Sequence, residues 1–476
     1  MIKITNIISF LILLNISLCM IVFPFKAAYE NKNGNINKDS KEYNSTHFLN
    51  DYFDRQLYIT IKIGSPPQEV KVLLTSKYCA FKIGKSDHCI YSDEYLSYYN
   101  RNNSKDFSYT NMYNMTFQEF DNQKGFTAED SMYAYTDINL KNEKKFDKIG
   151  FFLGSDTNEK LCGIIGFKMD NYDYHCNKIN NIIRSFKSND IINNYKWYLK
   201  YNTIDEGYFI IGSNMQELIN NYNEKYLFSI ESFMFGGTYP WGFFIKEIKC
   251  GKNREIISKE DKRGEIENDY SIIIGSETYY KYINKTFFYN YLQKGICMKN
   301  IWKKNQFYDY YIIECNKEQF GKEDYIKFPE LIFDVKQEDF NGEFILDYND
   351  LFTETKYKYF FNVIFNTYKN EIWTLGKQFI KKYPIMFDLD SKYINIYDLY
   401  SEGQTKNNEN MNQDSIGIKT FLIILLIIVL VVVVGVLGYF LGKNLNKIRK
   451  RKANELNDDD YDYTSENNNA INDNQS

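Results

Sequence analysis

Between residues 51 and 400, hydrophobic and polar positions alternate in short runs that are separated by turn residues. Residues 63–83 show the pattern well: Gly64 and the Pro-Pro pair after it are turn formers, and residues 70–74 are almost entirely aliphatic. Apolar and polar residues that alternate with a period of two, in runs bounded by glycine and proline, are typical of half-buried strands. Stretches with a helical period are few. The pattern predicts an all-β domain.

Two longer apolar runs lie outside this region. The first spans residues 7–25, follows Lys3 and is followed by Ala27 and Ala28. A basic residue, an apolar run and small residues in this order predict a secretory signal peptide over residues 1–28. The run is long for a signal peptide, so an uncleaved anchor stays open as the alternative.

The second run, residues 420–442, carries no charge and is long enough at ~1.5 Å per residue to cross a ~30 Å hydrocarbon core. A buried soluble helix is the alternative, but the run has no polar face. Six lysines and arginines follow between residues 443 and 452, which predicts a cytosolic C-terminus. We therefore expect a single-pass type I protein of the secretory pathway or cell surface, with its N-terminus lumenal or extracellular.

Polar composition marks three connecting segments. Residues 29–50 are predicted to be a flexible lead-in, residues 401–419 a linker and residues 443–476 a disordered cytosolic tail. The net charge of −4 gives no reason to expect a nucleic-acid partner. The three histidines, His47, His88 and His175, show no zinc-binding spacing, so we expect neither a metal nor a cofactor.

Cysteines and sequons fit a lumenal domain. One of the eight cysteines, Cys19, lies in the apolar N-terminal run, which leaves seven. Most should pair in an oxidising compartment, yet seven is odd, so at least one is free or bonds elsewhere. Sequons for N-glycosylation begin at Asn44, Asn102, Asn114 and Asn284, which predicts a glycoprotein.

The stretch at residues 63–83 resembles the first active-site hairpin of the pepsin-like aspartic proteases. In that family, I-G-T-P-x-Q leads through an apolar strand to D-T-G-S-S. Counted without a gap from Ile63, Thr75 stands at the position of the family's catalytic aspartate, and Lys77 stands at its glycine. The resemblance implies that the chain forms the active-site hairpin but lacks its catalytic carboxylate.

Further motifs extend the resemblance over residues 51–400. The segments 163–166, 207–212 and 373–398 are similar to family strands in the expected order. The resemblance implies a bilobed pepsin-like fold with an N-terminal lobe at 51–222 and a C-terminal lobe at 223–400, related by a pseudo-twofold axis. The predicted C-terminal anchor is similar to that of the β-secretase and membrane-bound plasmepsin branches.

The resemblance implies a second active-site loop at residues 264–275, in the second lobe, which also departs from the family pattern. Aligning Ser271 and Gly275 with the family pattern places Glu267 at the second catalytic position and Asp269 at the glycine. Asp269 is the fallback carboxylate if the alignment shifts by two residues. The resemblance also implies a disulfide between Cys297 and Cys315.

Other family positions differ as well. Gln118 stands where the family has the flap tyrosine, and Lys377 stands where it has an aspartate. Lys77 could face Glu267 or Asp269 as an ion pair, but an incidental solvated pair is the more ordinary interpretation.

These substitutions bear directly on catalysis. Aspartic proteases need two carboxylates about 3 Å apart that share one proton, and a threonine does not titrate in the relevant range. We therefore expect an inactive homologue whose ectodomain binds a protein or peptide in or near the interlobe cleft. Two alternatives stay open: an active endopeptidase with a non-standard dyad, such as Glu267 with Asp269, and an adhesive or structural surface glycoprotein.

Overall fold

The structure is a computed structural model, and the described residues between 20 and 399 form one compact unit. The second unit, residues 401–476, lies outside the described residues. The residues that the structure describes are 20–27, 38–53, 56–76, 78, 80–84, 99–117, 123–154, 162–168, 181–213, 224–232, 241–259, 262–303, 309–337, 340–366 and 372–399.

Strands make up most of the described residues, which confirms the predicted all-β class. In chain order the strands are β1 Ile21–Ala27, β2 Leu57–Ile63, β3 Gln68–Thr75, β4 Phe81–Gly84, β5 Ser108–Phe117, β6 Gln123–Tyr135, β7 Glu143–Gly154, β8 Cys162–Gly166, β9 Lys196–Tyr201, β10 Glu206–Ile211, β11 Glu224–Glu231, β12 Gly242–Ile245, β13 Glu247–Cys250, β14 Glu255–Ser258, β15 Lys262–Ile266, β16 Ile273–Gly275, β17 Cys297–Lys303, β18 Asp309–Asn316, β19 Leu331–Gln337, β20 Phe340–Leu346, β21 Phe352–Glu354, β22 Lys358–Phe361, β23 Val363–Asn366, β24 Ile372–Leu375, β25 Ile385–Asp388 and β26 Tyr393–Leu399.

The helices are short and lie between the strands. They are α1 Ser45–Tyr52, α2 Ile182–Ser188, α3 Glu277–Ile283, α4 Tyr289–Gln293, α5 Lys322–Tyr325, α6 Tyr348–Leu351 and α7 Lys377–Lys382, with a 3₁₀ turn at Arg101–Asn103 and a π-helical turn at Asn284–Phe288.

The largest sheet joins the two halves of the chain. Its order is β11-β26-β25-β9-β10-β1-β2-β3-β8-β4-β7-β6-β5, so three strands from the second half continue a sheet built by the first. Aromatic packing seals this junction, where Trp197 of β9 stacks on Phe387 of β25 with ring centroids 3.9 Å apart. The second half has its own sheet, β12-β15-β24-β16-β23-β18-β22-β21, and a smaller one, β14-β13-β19-β20. The predicted two-lobed arrangement agrees with this topology.

The same local motif occurs once in each half. In the first, β3 runs parallel to β8 and β4 runs antiparallel to β8. In the second, β15 runs parallel to β24 and β16 runs antiparallel to β24. This repeat places the loops after β3 and β15 in equivalent positions.

The prediction of a signal peptide over residues 1–28 is wrong at its C-terminal boundary. β1, Ile21–Ala27, pairs with β10 over six residues and with β2 over three, inside the largest sheet. Ile21, Val22, Phe23 and Phe25 are buried there. Their side chains form part of the core, so the apolar pattern that suits a signal peptide belongs in part to a central strand. Residues 1–19 lie outside the described residues.

The prediction of a flexible lead-in over residues 29–50 is also wrong where the structure describes it. Residues 45–50 are helical, within α1. Asn44 caps the helix, because its side-chain oxygen accepts from the main-chain N–H groups of Thr46 and His47, at 3.0 and 3.3 Å. Phe48 and Leu49 are fully buried against strands of the second half. We call residues 38–53 the strap.

The disulfide prediction is confirmed. Cys297 of β17 and Cys315 of β18 face each other in the strand register and are bonded, with Cα atoms 4.0 Å apart. Cys250 is a free, buried thiol, and burial raises its pKa to about 12.

Several other predictions fall outside the described residues. These are the membrane span at 420–442, the segments 401–419 and 443–476, and the positions of Lys77 and Gln118. Within the described part of the chain, the helices are too short or too polar to span a bilayer.

Candidate functional site

The two equivalent loops meet between the halves of the chain. In the first half, Leu74 pairs with Ile165 and Thr75 with Gly166. In the second, Ile266 pairs with Leu375, and the N–H of Glu267 donates to the main-chain oxygen of Leu375 at 3.1 Å. Counted from these pairs, Glu267 is the topological counterpart of Thr75.

Two glycines fix the path of these loops. A Cβ at Gly166 would collide with the main-chain oxygen of Tyr78, and one at Gly376 would collide with the main-chain oxygens of Tyr270 and Ile272. Tyr78 and Tyr270 both lie three residues after the paired positions Thr75 and Glu267. Only glycine lets two main chains approach this closely. Both loops therefore pack against a glycine in the same way.

Three side-chain hydrogen bonds join the loops across the lobes. The Thr75 hydroxyl donates to Oδ2 of Asp269 at 2.9 Å, and the Ser76 hydroxyl donates to the same oxygen at 3.4 Å. Asn268 Nδ2 donates to the main-chain oxygen of Leu74 at 3.0 Å. Asp269 is only 3% exposed. A buried carboxylate that accepts two hydroxyl donors is a stable arrangement, because the hydrogen bonds offset the cost of removing its charge from water.

The predicted site residues take different places. Thr75 and Asp269 come together directly, although Asp269 was the fallback position. Glu267 is half-buried on the same loop, two residues before Asp269. Lys377, at the start of α7, is fully buried, and its main-chain N–H donates to the oxygen of Tyr270 at 2.8 Å. The structure does not describe Lys77, so the proposed ion pair with Glu267 or Asp269 stays a prediction.

Tyr201 is a site residue that sequence reasoning missed. It ends β9 with its side chain buried, and its hydroxyl has no hydrogen-bond partner among the described residues. Burial, and then the negative charge of Asp269, raise the pKa of Tyr201 well above its ordinary value. Tyr201 therefore remains a neutral phenol beside the carboxylate. The chain has 43 tyrosines, and nothing in the sequence distinguishes Tyr201 from the others.

The strap lies directly beside this site. The N–H of Ser271 donates to the main-chain oxygen of Tyr52 at 3.3 Å. The ring of Phe53 packs on that of Tyr270 with centroids 4.9 Å apart. Since Tyr270 and Ser271 directly follow Asp269, the strap contacts the interlobe loop of the second half.

The chemistry of the described site is that of hydrogen bonding. Its fully buried carboxylate, Asp269, is already engaged by the hydroxyls of Thr75 and Ser76, and neither hydroxyl titrates near neutral or acid pH. In the part of the chain that the structure describes, no three His, Cys, Asp or Glu side chains cluster in a way that could hold a metal ion. The arrangement is suited to tying the two loops together.

Comparison with known proteins supports the fold. The structure is similar to the crystal structure of basic 7S globulin from soybean, with a TM-score of 0.54 and 11% sequence identity. The match covers 82% of this chain and 98% of the globulin. Basic 7S globulin has a pepsin-like fold. At this identity the likeness concerns the fold alone.

The sequence comparisons add nothing to this. No protein-family model matches the chain, and no curated protein matches it.

Proposed function

We propose that this chain is a pepsin-fold protein that has lost aspartic protease activity and binds a peptide or protein segment in or near its interlobe cleft. The observation that carries the proposal is the hydrogen bond from Thr75 to Asp269. It links the two loops whose counterparts in an aspartic protease carry the catalytic pair. A hydroxyl on one side and a carboxylate on the other form a structural link.

The energetic argument supports inactivity. The aspartic mechanism needs two carboxylates about 3 Å apart that share a proton, so that one acts as base while the other polarises the scissile carbonyl. Thr75 supplies no proton acceptor of useful basicity. Loss of general base catalysis alone typically costs roughly 10² to 10⁴-fold in rate.

The binding half of the proposal rests on the surface beside the site. Ile272, Ile274, Ile312 and Ile364 present an apolar face of the second sheet, on the side opposite the core of that half. In the structure, aromatic and leucine side chains of the strap cover this face. A sheet face that already accommodates a chain segment in this way has the chemistry of a peptide-binding groove.

The proposal extends to the membrane. The uncharged run at residues 420–442 and the basic cluster after it support a type I anchor that holds the domain at a secretory or surface membrane. Protease added to sealed microsomes is expected to trim only the short C-terminal tail. Digestion of the domain before residue 400 would overturn this topology.

The loss of activity is tested with the full chain purified in detergent. A diverse peptide library offered between acid and neutral pH is expected to show no turnover that Glu267→Gln or Asp269→Asn removes. An active aspartic protease in the same detergent is the positive control. Turnover by the unmodified chain that disappears in Glu267→Gln would defeat the proposal.

A second candidate function is an endopeptidase that uses Glu267 with Asp269. It is favoured by one observation: Glu267 stands at the register position equivalent to Thr75, and Asp269 lies on the same loop. This candidate predicts tight binding of a statine-type inhibitor, whose hydroxyl needs a carboxylate pair. The pseudoenzyme predicts no such binding at micromolar concentrations.

A further inference from the structure

The strap has an unusual place in the chain. It follows β1 and precedes β2, two neighbouring strands of the first half, yet it packs on the second half. Its docking is therefore a tertiary contact that the chain makes by crossing from one lobe to the other and returning. These contacts lie outside the strand pairings of β1 and β2.

Apolar side chains anchor the strap. Phe48 stacks on Phe360 of β22, with centroids 4.4 Å apart and the rings nearly parallel. Phe53 lies among Tyr270, Trp302 and Tyr310, at centroid distances of 4.9, 5.0 and 5.1 Å. Phe48, Leu49 and Phe53 are each fully buried.

A buried polar contact fixes the register of the strap. The main-chain N–H of Ser45 donates to Oε2 of Glu314 at 2.7 Å, and the Ser45 hydroxyl donates to the same oxygen. Asn300 Nδ2 donates to the Ser45 hydroxyl at 2.6 Å. Lys358 pairs with the other carboxylate oxygen of Glu314 at 3.0 Å. Glu314 thus recognises the first residue of α1 while Lys358 balances its charge.

Removal of the strap would uncover one continuous surface. Ile272, Ile274, Ile312 and Ile364 would lie bare beside aromatic rings of the same face. Soluble proteins rarely expose apolar patches of this kind unless a partner covers them. The contacts seen in the strap define the partner that fits: a short amphipathic helix with aromatic residues on one face and a serine at its start.

We propose that this face of the second lobe is a binding groove for an amphipathic helical peptide, and that the strap occupies the groove in cis until a ligand replaces it. The inference rests on the proposed binding function, because it names the ligand class and the element that controls access. Linked in cis, the strap competes at a millimolar effective concentration, so a free peptide binds only to the open fraction of molecules.

The experiment uses the full chain in detergent and a fluorescent synthetic peptide of residues 40–53. Phe48→Ala in the chain removes an aromatic anchor and raises the open fraction. The variant is expected to bind the peptide at least about tenfold more tightly than the unmodified chain. The same peptide carrying Phe48→Ala is expected to bind the variant at least about tenfold more weakly, since its contact with Phe360 is gone.

Three further variants guard against loss of folding. Asn44→Gly removes the helix cap and leaves the groove intact, and it should give a smaller gain of the same sign than Phe48→Ala. Thr46→Ala removes the sequon that begins at Asn44 but keeps the cap, so it separates the two effects. Phe186→Ala, a buried substitution in α2 far from the strap in the fold, is the matched control and should give no gain. Circular dichroism and the unfolding temperature verify that each variant is folded.

Three results would overturn the inference. They are a gain as large in Phe186→Ala as in Phe48→Ala, equal binding of the two peptides, and no gain in either Phe48→Ala or Asn44→Gly. The first would mean that the gain is not specific to the strap, the second that the peptide does not bind through the contact of Phe48 with Phe360, and the third that the strap does not control access to the groove. None of them bears on turnover, so the inactive-protease proposal would stand or fall by its own assay.

Discussion

Asn268 reaches across the interlobe site and donates from Nδ2 to the main-chain oxygen of Leu74, 3.0 Å away. Asn268 directly follows Glu267, and Leu74 directly precedes Thr75. The bond therefore crosses from one member of the repeated motif to the other, at the point where the two loops are equivalent. Together with the hydrogen bond from Thr75 to Asp269, it makes this pair of loops a junction between the lobes.

The first prediction concerns that junction. Thr75→Val preserves shape but removes the hydroxyl that donates to Asp269, which leaves a buried carboxylate with one donor fewer. We expect a loss of about 1–3 kcal/mol in the free energy of unfolding, measured by denaturant titration. Ser76→Ala removes the longer bond and should cost less. Equal losses would contradict the assigned hydrogen bonds.

The second prediction concerns the N-terminal strand. A chain that begins at Met20 keeps β1 and should fold, whereas a chain that begins at Tyr29 lacks it. Without β1 the sheet loses the strand between β10 and β2, and the core loses the five buried apolar side chains of this strand. We expect the shorter chain to be insoluble or to lack a cooperative unfolding transition in calorimetry. Two chains of equal stability would show that β1 is dispensable.

The third prediction concerns the disulfide between Cys297 and Cys315, which closes a loop with a sequence separation of 18. Replacing both cysteines by alanine should lower the free energy of unfolding by about 2–4 kcal/mol. Cys250→Ala is the control, since that thiol is free, and it should cost about 1 kcal/mol or less. A control that costs as much as the double variant would argue against a stabilising bridge.

The fourth prediction concerns pH. Burial raises the pKa of Glu265 in β15, while Arg263 partly opposes the shift. Between the ordinary glutamate pKa and the raised folded value, the native state binds more protons than the unfolded state, so stability falls as pH rises. Glu265→Gln should therefore be more stable than the unmodified chain at pH 7, with an advantage that shrinks towards pH 4. Glu318→Gln, the same substitution at an exposed position, is the control against which the two pH profiles are compared.

Much of the fold was predictable because its signals are local. The segments ending in Gly166 and Gly376 require glycine because main chains touch there, so this residue type can be recognised in the sequence. The disulfide followed from the family resemblance, and the register of β17 with β18 bears it out.

What the sequence could not predict depends on tertiary contacts. An apolar run such as residues 7–25 suits both a signal peptide and a buried strand, and only pairing with β10 distinguishes them. The strap is polar on average, so its composition gives no sign of burial. Its spaced aromatic residues are buried only because they pack on the second lobe. The alignment assigned the second catalytic position to Glu267, whereas in the structure it is Asp269, two residues later, that accepts the hydrogen bond from Thr75.

The last prediction tests how closely the loops at Thr75 and Asp269 are held together. Thr75→Asp would place a second carboxylate where the present hydroxyl lies 2.9 Å from Asp269. Two carboxylates so close cannot both ionise, so the pair should retain one proton above the ordinary aspartate pKa. The native state then binds more protons than the unfolded state, and stability should fall as pH rises from 4 to 8. Thr75→Asn is the matched control, because asparagine has nearly the same shape as aspartate and does not titrate. It should show no added pH dependence. Unfolding curves at several pH values measure the difference, and equal pH profiles for the two variants would mean that the loops at Thr75 and Asp269 are not held in dyad-like proximity.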